Sequence, residues 1–365
     1  MDIDAIIRPC IQKVATGPEM SKSLGQEEAH AVMRLILNGQ VDPVQSAVIL
    51  IALRMKRETL DEYRGILDAI RDNADIAVAD VDDLIDVADP YDGYNRCLPA
   101  TPFLPAVLAA CGLPAVSHGV ETMSPKFGTT HRMVLRAAGI DVDLTPAAAA
   151  ARIANPAIGW AYVDMQTWGR GLHALTALRG QIIKRTCLTT VENLIGPIRA
   201  RGRTHLLAGY VHKAYPPIYS ALARHSGFDS ALIVRGVEGG VVPSLQQAGT
   251  AFYYHDGGAE QEMTMDPAGI GIQATNRAVP LPASVTPTAR ADDEHPGVDA
   301  HALAEAAAAA GLAALRGEAG LTRESLVYAG ALCLTHLGRS PNLNEAAARV
   351  RAVLDDGSAA TRFSA

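Results

Sequence analysis

Apolar and polar positions follow two different rhythms along this chain of 365 residues. Over the first seventy-odd residues the rhythm is helical. Glu27 and Glu28 open a segment in which Ala31, Leu35 and Ile36 recur at helical spacing up to Gly39, a natural stop. Asp42-Pro43 supplies an N-cap followed by proline at the first helical position, which predicts a helix through Leu53. Thr59 with Glu62 three residues on is a capping box for the next helix. No strand pattern interrupts this stretch, so a small helical domain is expected.

From about Asp82 the rhythm changes. Leu84-Ile85-Asp86-Val87 reads as a buried strand, followed by a Pro/Gly-rich loop from Asp89 to Pro99. Thr101-Pro102 caps a helix ending at Gly112, and Ala115-Val116 is strand-like. A loop from His118 to Gly128, a helix to Ala138 and an alanine-rich helix from Thr145-Pro146 come next. Further strands are expected at Leu206–Val211, Ala231–Val234 and Ala251–Tyr254, and helices at Ala302–Leu315 and Leu326–His336. This alternation predicts an α/β domain with a mostly parallel central sheet flanked by helices, and ligand-binding loops after the strand C-termini. Residues 280–298 read as an exposed linker.

Composition narrows the class. Nearly half the chain is apolar and 19% is charged, which excludes global disorder. Thirty-two Lys and Arg against 39 Asp and Glu leave a net charge of −7, which excludes a basic whole-surface nucleic-acid binder. Five widely spaced cysteines without a C-x-x-C pair fit reduced thiols in a cytoplasmic protein. The acidic start (Asp2, Asp4) is unlike a secretory signal, and the longest apolar run, Val44 to Leu53, is about half a membrane span.

Three regions could carry chemistry. The loop Asp89-Pro90-Tyr91-Asp92-Gly93-Tyr94-Asn95-Arg96 comes after the first strand, a common place for a phosphate; it also reads as a plain turn. The loop from Ser117 to Arg132 offers Ser124 and Thr129 hydroxyls, Lys126 and glycines to an anion, or is a solvated loop. Between Arg170 and Arg235 ten Lys and Arg meet only Glu192 and Asp229, a local +8 within a chain of −7. That stretch suggests a polyanion or phosphorylated ligand, without the aromatic interleaving of single-strand binders. No G-x-S-x-G, Walker A, H-E-x-x-H or G-x-G-x-x-G motif occurs.

Taken together the residues resemble the anthranilate phosphoribosyltransferase family of the glycosyltransferase family 3 fold. Leu35-Ile36-Leu37-Asn38-Gly39, Gln45 and Ile51 to Thr59 with Glu62 are similar to its N-terminal helical signature. Ser117-His118-Gly119 with Ser124, Lys126 and Gly128 falls on its Lys-His-Gly-Asn-Arg…Ser-Ser-Lys-Ser-Gly loop. Arg179, Arg185-Thr186 and Gly196-Pro197 fall on its arginine-rich helix and Gly-Pro turn, and Asp356-Gly357-Ser358-Ala359 on its C-terminal motif.

The departures lie at the site. Only Asp92-Gly93 survive of the family's Gly-Thr-Gly-Gly-Asp-Gly loop, and Asp89-Pro90-Tyr91 stand for its glycines. Proline removes a donor, a ring fills the approach, and an extra carboxylate repels pyrophosphate. The magnesium pair Asp-Glu falls on Val241 and Val242, so Mg2+ stays a possible cofactor without its family ligands. Similar departures mark a divergent branch that includes DNA-binding dimers.

The resemblance implies a helical domain over 1–75, completed by helices at about 165–190, and an α/β domain over 76–164 and 191–365. It implies a homodimer through the N-terminal helices. One reading is a transferase with changed chemistry. His118, Gly119 and Arg179 would hold an anionic acceptor, with Asp92, Gly93, Asn95, Ser124, Lys126, Gly128, Thr129 and Arg185 around the donor. A second is a non-catalytic binder of nucleic acid or nucleotide on a basic surface of Arg199, Arg201, Arg203 and Lys213. A third is a pseudoenzyme with a remnant cleft.

Overall fold

The computed structural model describes residues 3–17, 19–285, 287–292 and 295–365. Helices Asp4–Val14, Gln26–Leu37, Pro43–Lys56 and Leu60–Asp72 form the first layer. Their starts obey local chemistry. Asp42 accepts from the Val44 N–H at 2.8 Å, and Thr59 and Glu62 cap each other as the sequence predicts. The short helices Thr176–Ile182 and Cys187–Val191 return to pack on Pro43–Lys56 and Leu60–Asp72.

Eleven strands are described: β1 Ala77–Ala79, β2 Asp83–Ala88, β3 Ala115–Gly119, β4 Trp160–Asp164, β5 Ile198–Ala200, β6 Arg203–Gly209, β7 Ser230–Val234, β8 Gly249–His255, β9 Gln261–Met265, β10 Pro287–Asp292 and β11 His295–Val298. Seven of them form the central sheet in the order β4-β3-β2-β6-β7-β8-β9. The first five run parallel, and β8 and β9 close the edge antiparallel. β1 pairs with β5. β10 and β11 form an antiparallel pair within the expected linker, of which residues 286, 293 and 294 lie outside the described residues. Asp2, part of the acidic start, also lies outside them.

Each sheet face has its own core. Leu84 and Ala88 of β2 turn toward the helical layer with Val116 and Leu206, whereas Ile85 and Val87 turn to the opposite face with Leu207 and Leu232. The helices Ala300–Leu315 and Leu321–His336, with Leu343–Asp355 and Ser358–Ser364, cover that second face. Among the described residues no helix is long and apolar enough to cross a membrane.

Two departures matter for the site. β4 escaped the sequence reading, because Trp160-Ala161-Tyr162-Val163-Asp164 comes after an alanine-rich helix without a clear period-two pattern. His118 and Gly119, expected in a loop, are the last residues of β3, because β4 continues the ladder to Val163 and Asp164. Both are buried.

The amino-terminal edge of the sheet carries a hydrogen-bonded chain. His205 on β6 sets Nε2 3.0 Å from Asp83 Oδ1 and Nδ1 2.8 Å from the Ser230 hydroxyl. That hydroxyl lies 3.1 Å from Nε2 of His336, whose ring stacks on His255 at 4.4 Å. Arg339 pairs with Asp83, and Arg203 and Asp229 add their charges at His205. Burial, with His255 and His205 beside it, pushes His336 down to about 3. The unfolded chain therefore takes up this proton first. The contribution of neutral His336 is complete above the unfolded value of about 6.5 and shrinks as pH falls toward 3. Denaturant unfolding of the wild type should lose about 1–2 kcal/mol more between pH 7 and pH 5 than His336→Gln does. Parallel pH profiles would contradict this assignment.

Candidate functional site at the carboxyl edge of the sheet

β2 runs directly into the loop from Asp89 to Cys97, and one buried carboxylate organises that loop and its neighbours. Asp89 accepts from the Tyr94 hydroxyl at 2.7 Å and from the Val241 N–H at 3.0 Å, and His131 Nε2 lies 2.9 Å away. These partners come from the same loop, from the helix His131–Ala137 and from the loop after β7. Tyr94 also exchanges backbone hydrogen bonds with Thr129, at 3.0 and 2.9 Å, and Gly128 donates to the Asp92 carbonyl at 2.9 Å.

This back-to-back packing explains the glycines. Gly93 has φ +74°, and a Cβ there would stand 2.6 Å from Gly128; one on Gly128 would meet Asn95 Oδ1 at 2.6 Å. Both glycines seat one loop on the other. Thr129 spends its hydroxyl on the Ala300 carbonyl at 2.8 Å, and Ser124 is buried.

The cations expected to meet ligands meet carboxylates of the chain instead. Arg185 donates to Asp92 Oδ2 through Nε at 3.1 Å and an Nη at 2.6 Å. Lys126 Nζ stands 3.4 Å from Asp92 Oδ1 and 3.6 Å from Glu238 Oε2. Arg179 is buried and forks onto both oxygens of Glu192, at 2.6 and 2.9 Å. Neither Glu192 nor Glu238 stood out as a cation partner in the sequence. Glu192 lies 13 residues beyond Arg179 with no motif linking them.

The residues expected around an acceptor engage one another in the same way. The Tyr91 hydroxyl lies 2.5 Å from His118 Nδ1. Burial, reinforced by the Glu192 charge, holds the Tyr91 phenol well above its ordinary value, so it stays protonated, and the other ring nitrogen of His118, Nε2, faces Asp86. That nitrogen lies 2.9 Å from Asp86 Oδ1, off a hydrogen-bond axis, and neither Asp86 oxygen receives a hydrogen bond among the described residues. The Gly119 Cβ position faces the Tyr162 hydroxyl at 3.3 Å. The sequence singled out Tyr91 only as a ring standing for a family glycine, and Asp86 not as a partner of His118, because only the sheet brings β2 and β3 side by side.

Where the resemblance puts the magnesium pair, Val241 is buried and neither Val241 nor Val242 has a side-chain oxygen. Tyr94 presses its hydroxyl against Gly240, where a Cβ would stand 1.8 Å away. Among the described residues no cluster of three or more His, Cys, Asp or Glu could hold a metal ion. These residues do not fit a hard divalent cation.

Residues 8–74 match the glycosyl transferase family helical bundle domain, and residues 100–280 match the a/b domain of the same family. The chain belongs to this family. It is 28% identical to an anthranilate phosphoribosyltransferase of Paracidovorax citrulli, covering 94% of this chain and 92% of the relative. It is 25% identical to an uncharacterized protein of Aquifex aeolicus over 65% of this chain and 71% of that one. The crystal structure of anthranilate phosphoribosyltransferase from Thermus thermophilus superposes with a TM-score of 0.72 at 21% identity, covering 98% of this chain and 97% of that chain. The Saccharomyces cerevisiae anthranilate phosphoribosyltransferase in complex with PRPP and Mg gives 0.73 at 14% identity over 99% and 96%. These structures share the fold.

The family fold also decides the fate of the basic stretch, which is far less cationic in space than in sequence. Arg199 is not a surface cation. It donates to the carbonyls of Ile195, Gly196, Ser226 and Gly227 and stacks 4.1 Å over Phe228. Burial, with Arg71 adding to it, lowers its pKa to about 10. Arg201 pairs with Asp80 and Asp82, Arg203 with Asp256, and Arg224 donates to the Gly258 carbonyl. Lys213, Lys184, Arg170 and Arg235 remain exposed and form no ion pair among the described residues. Arg199→Met should lower unfolding stability by about 2–4 kcal/mol, because four carbonyls lose their donor. Arg201→Ala should leave the melting midpoint where it was. Equal effects in thermal unfolding would return Arg199 to the surface.

Proposed function

We propose that this phosphoribosyltransferase-like protein binds a phosphorylated or ribosylated small molecule at the carboxyl edge of its sheet. It does so without being a genuine anthranilate phosphoribosyltransferase. The observation that carries this reading is the convergence of Lys126 and Arg185 on Asp92, with Val241 standing where the resemblance puts a metal ligand. Two cations around one carboxylate form a site suited to a phosphate group. Arg185 is 43% exposed, so an entering anion meets it first. Asn95, Ser124 and Thr129 border the donor side, with Gly93 and Gly128 shaping the loops. An anionic acceptor would face His118, Gly119 and Arg179, and must compete with Glu192 for the guanidinium.

Val44 and Met55, 71% and 74% exposed on the helix Pro43–Lys56, support a homodimer through the N-terminal helices. Five buried, unpaired cysteines support a reducing, cytoplasmic setting. A second reading, a nucleic-acid binder, rests on the exposed Lys184, Lys213, Arg170 and Arg235. It is the weaker one, because Arg199, Arg201 and Arg203 are engaged within the chain.

A thermal-shift screen with phosphoribosyl pyrophosphate, nucleotides and short DNA, with and without Mg2+, tests these readings. A phosphosugar or nucleotide should stabilise the protein independently of Mg2+. Arg185→Ala should weaken that ligand at least about tenfold, a loss of ~1.4 kcal/mol, while Arg201→Ala leaves it unchanged. Mg2+-dependent stabilisation by phosphoribosyl pyrophosphate, with turnover of anthranilate, would overturn the proposal. Binding of DNA alone, with affinity falling steeply in salt, would favour the second reading.

A further inference from the structure

Glu238 is a buried acid in an unusual backbone setting. Its φ of +56° lies in the left-handed region, which a residue with a Cβ seldom enters. Gly236, Gly239 and Gly240 surround it, and the loop closes through a bridge between Gly236 and Pro243. The side chain is 1% exposed. Its Oε1 accepts from the Arg96 N–H at 2.7 Å and the Cys97 thiol at 3.4 Å, and its Oε2 accepts from the Asn95 N–H at 3.2 Å. Lys126 Nζ and Arg96 Nε stand 3.6 and 3.7 Å from Oε2.

Two successive backbone donors and two cations thus surround one carboxylate. Such a nest stabilises an anion whatever molecule carries it. Here the anion comes from the loop after β7, whereas the donors belong to the loop after β2 and to Lys126. The two sides are held by different parts of the chain. Val241 anchors the far end of the glycine-rich loop on Asp89, leaving Glu238 on the glycine-flanked turn beyond that anchor. Glycines at 236, 239 and 240 widen the φ and ψ range of that turn, and its movement opens the Val237 N–H bond to the Val242 carbonyl, 3.1 Å long.

We propose that Glu238 is an internal anion latching a phosphate subsite made by the Asn95 and Arg96 N–H groups, the Arg96 guanidinium and Lys126. A phosphate or pyrophosphate group of the ligand displaces it, and the 236–240 turn moves aside. The wild type is therefore held in a low-affinity state that a ligand must open. A dianionic phosphate is the fitting competitor, because it brings more charge and more acceptor atoms to the same donors than a carboxylate does. This inference rests on the ligand class proposed above.

Isothermal titration of the full-length protein with inorganic pyrophosphate, free of Mg2+ and at constant ionic strength, tests the latch. Glu238→Gly removes the carboxylate and suits the positive φ; Glu238→Gln keeps the shape and removes the charge. Both should bind pyrophosphate at least about tenfold tighter than the wild type. Adding Lys126→Ala to Glu238→Gly should erase the gain. Equal affinity in wild type and both variants, no binding to any of them, or a gain that survives loss of Lys126 would each overturn the latch. Arg185-dependent binding of a phosphosugar to the wild type, with no response to the Glu238 substitutions, would remove the latch and leave the proposed ligand class standing. A pyrophosphate gain in the variants, with no phosphorylated metabolite binding the wild type, would do the reverse.

Discussion

The carboxyl edge of the sheet depends on one buried charge. Asp89 sits at the end of β2 with almost no exposure, and an isolated carboxylate there would carry a severe desolvation penalty. Tyr94, His131 and the Val241 backbone converge on it from three segments. Removing any one leaves a buried oxygen short of a partner, so the three segments are tied together rather than merely adjacent. The tie pulls Tyr94 across Gly240 and sets the loop after β2 against Gly128. Space that glycines would leave open for a ligand is filled by side chains and backbone.

A related principle runs through the rest of the edge. Arg179 and Lys126 carry charge into surroundings with little water, Arg185 reaches in from the surface, and each is met by Glu192, Asp92 or Glu238. A buried or half-buried cation without a partner is costly, so the chain supplies the anions itself. On the proposed function, an incoming phosphate or carboxylate must win these cations from residues already in place. That competition would distinguish this edge from one whose cations stand ready, and the proposed affinity would depend on carboxylates as much as on arginines.

Much of the architecture was legible in sequence because its causes are local. Asp42-Pro43 and the Thr59–Glu62 pair start helices where capping chemistry says they should. The apolar runs at 84–87, 206–211, 231–234 and 251–254 became strands of one sheet with slightly shifted bounds. β4 was missed because burial on both faces removes the polar alternation that marks a strand. The basic stretch misled for a related reason. Its charge was counted within a window, while the balancing groups Asp80, Asp82, Asp92 and Asp256 lie outside it.

The sequence by itself determined the helical layer, the α/β alternation, the family resemblance and the absence of side-chain oxygens at Val241 and Val242. Each of these depends on residue type or short-range spacing. Only the tertiary structure decided which charges are free. The Arg96–Glu238 and Arg185–Asp92 contacts join residues 142 and 93 positions apart, and no local rule links such positions. Parallel strands connected through helices bring distant loops to one edge, and there the cost of burying charge selects the partners.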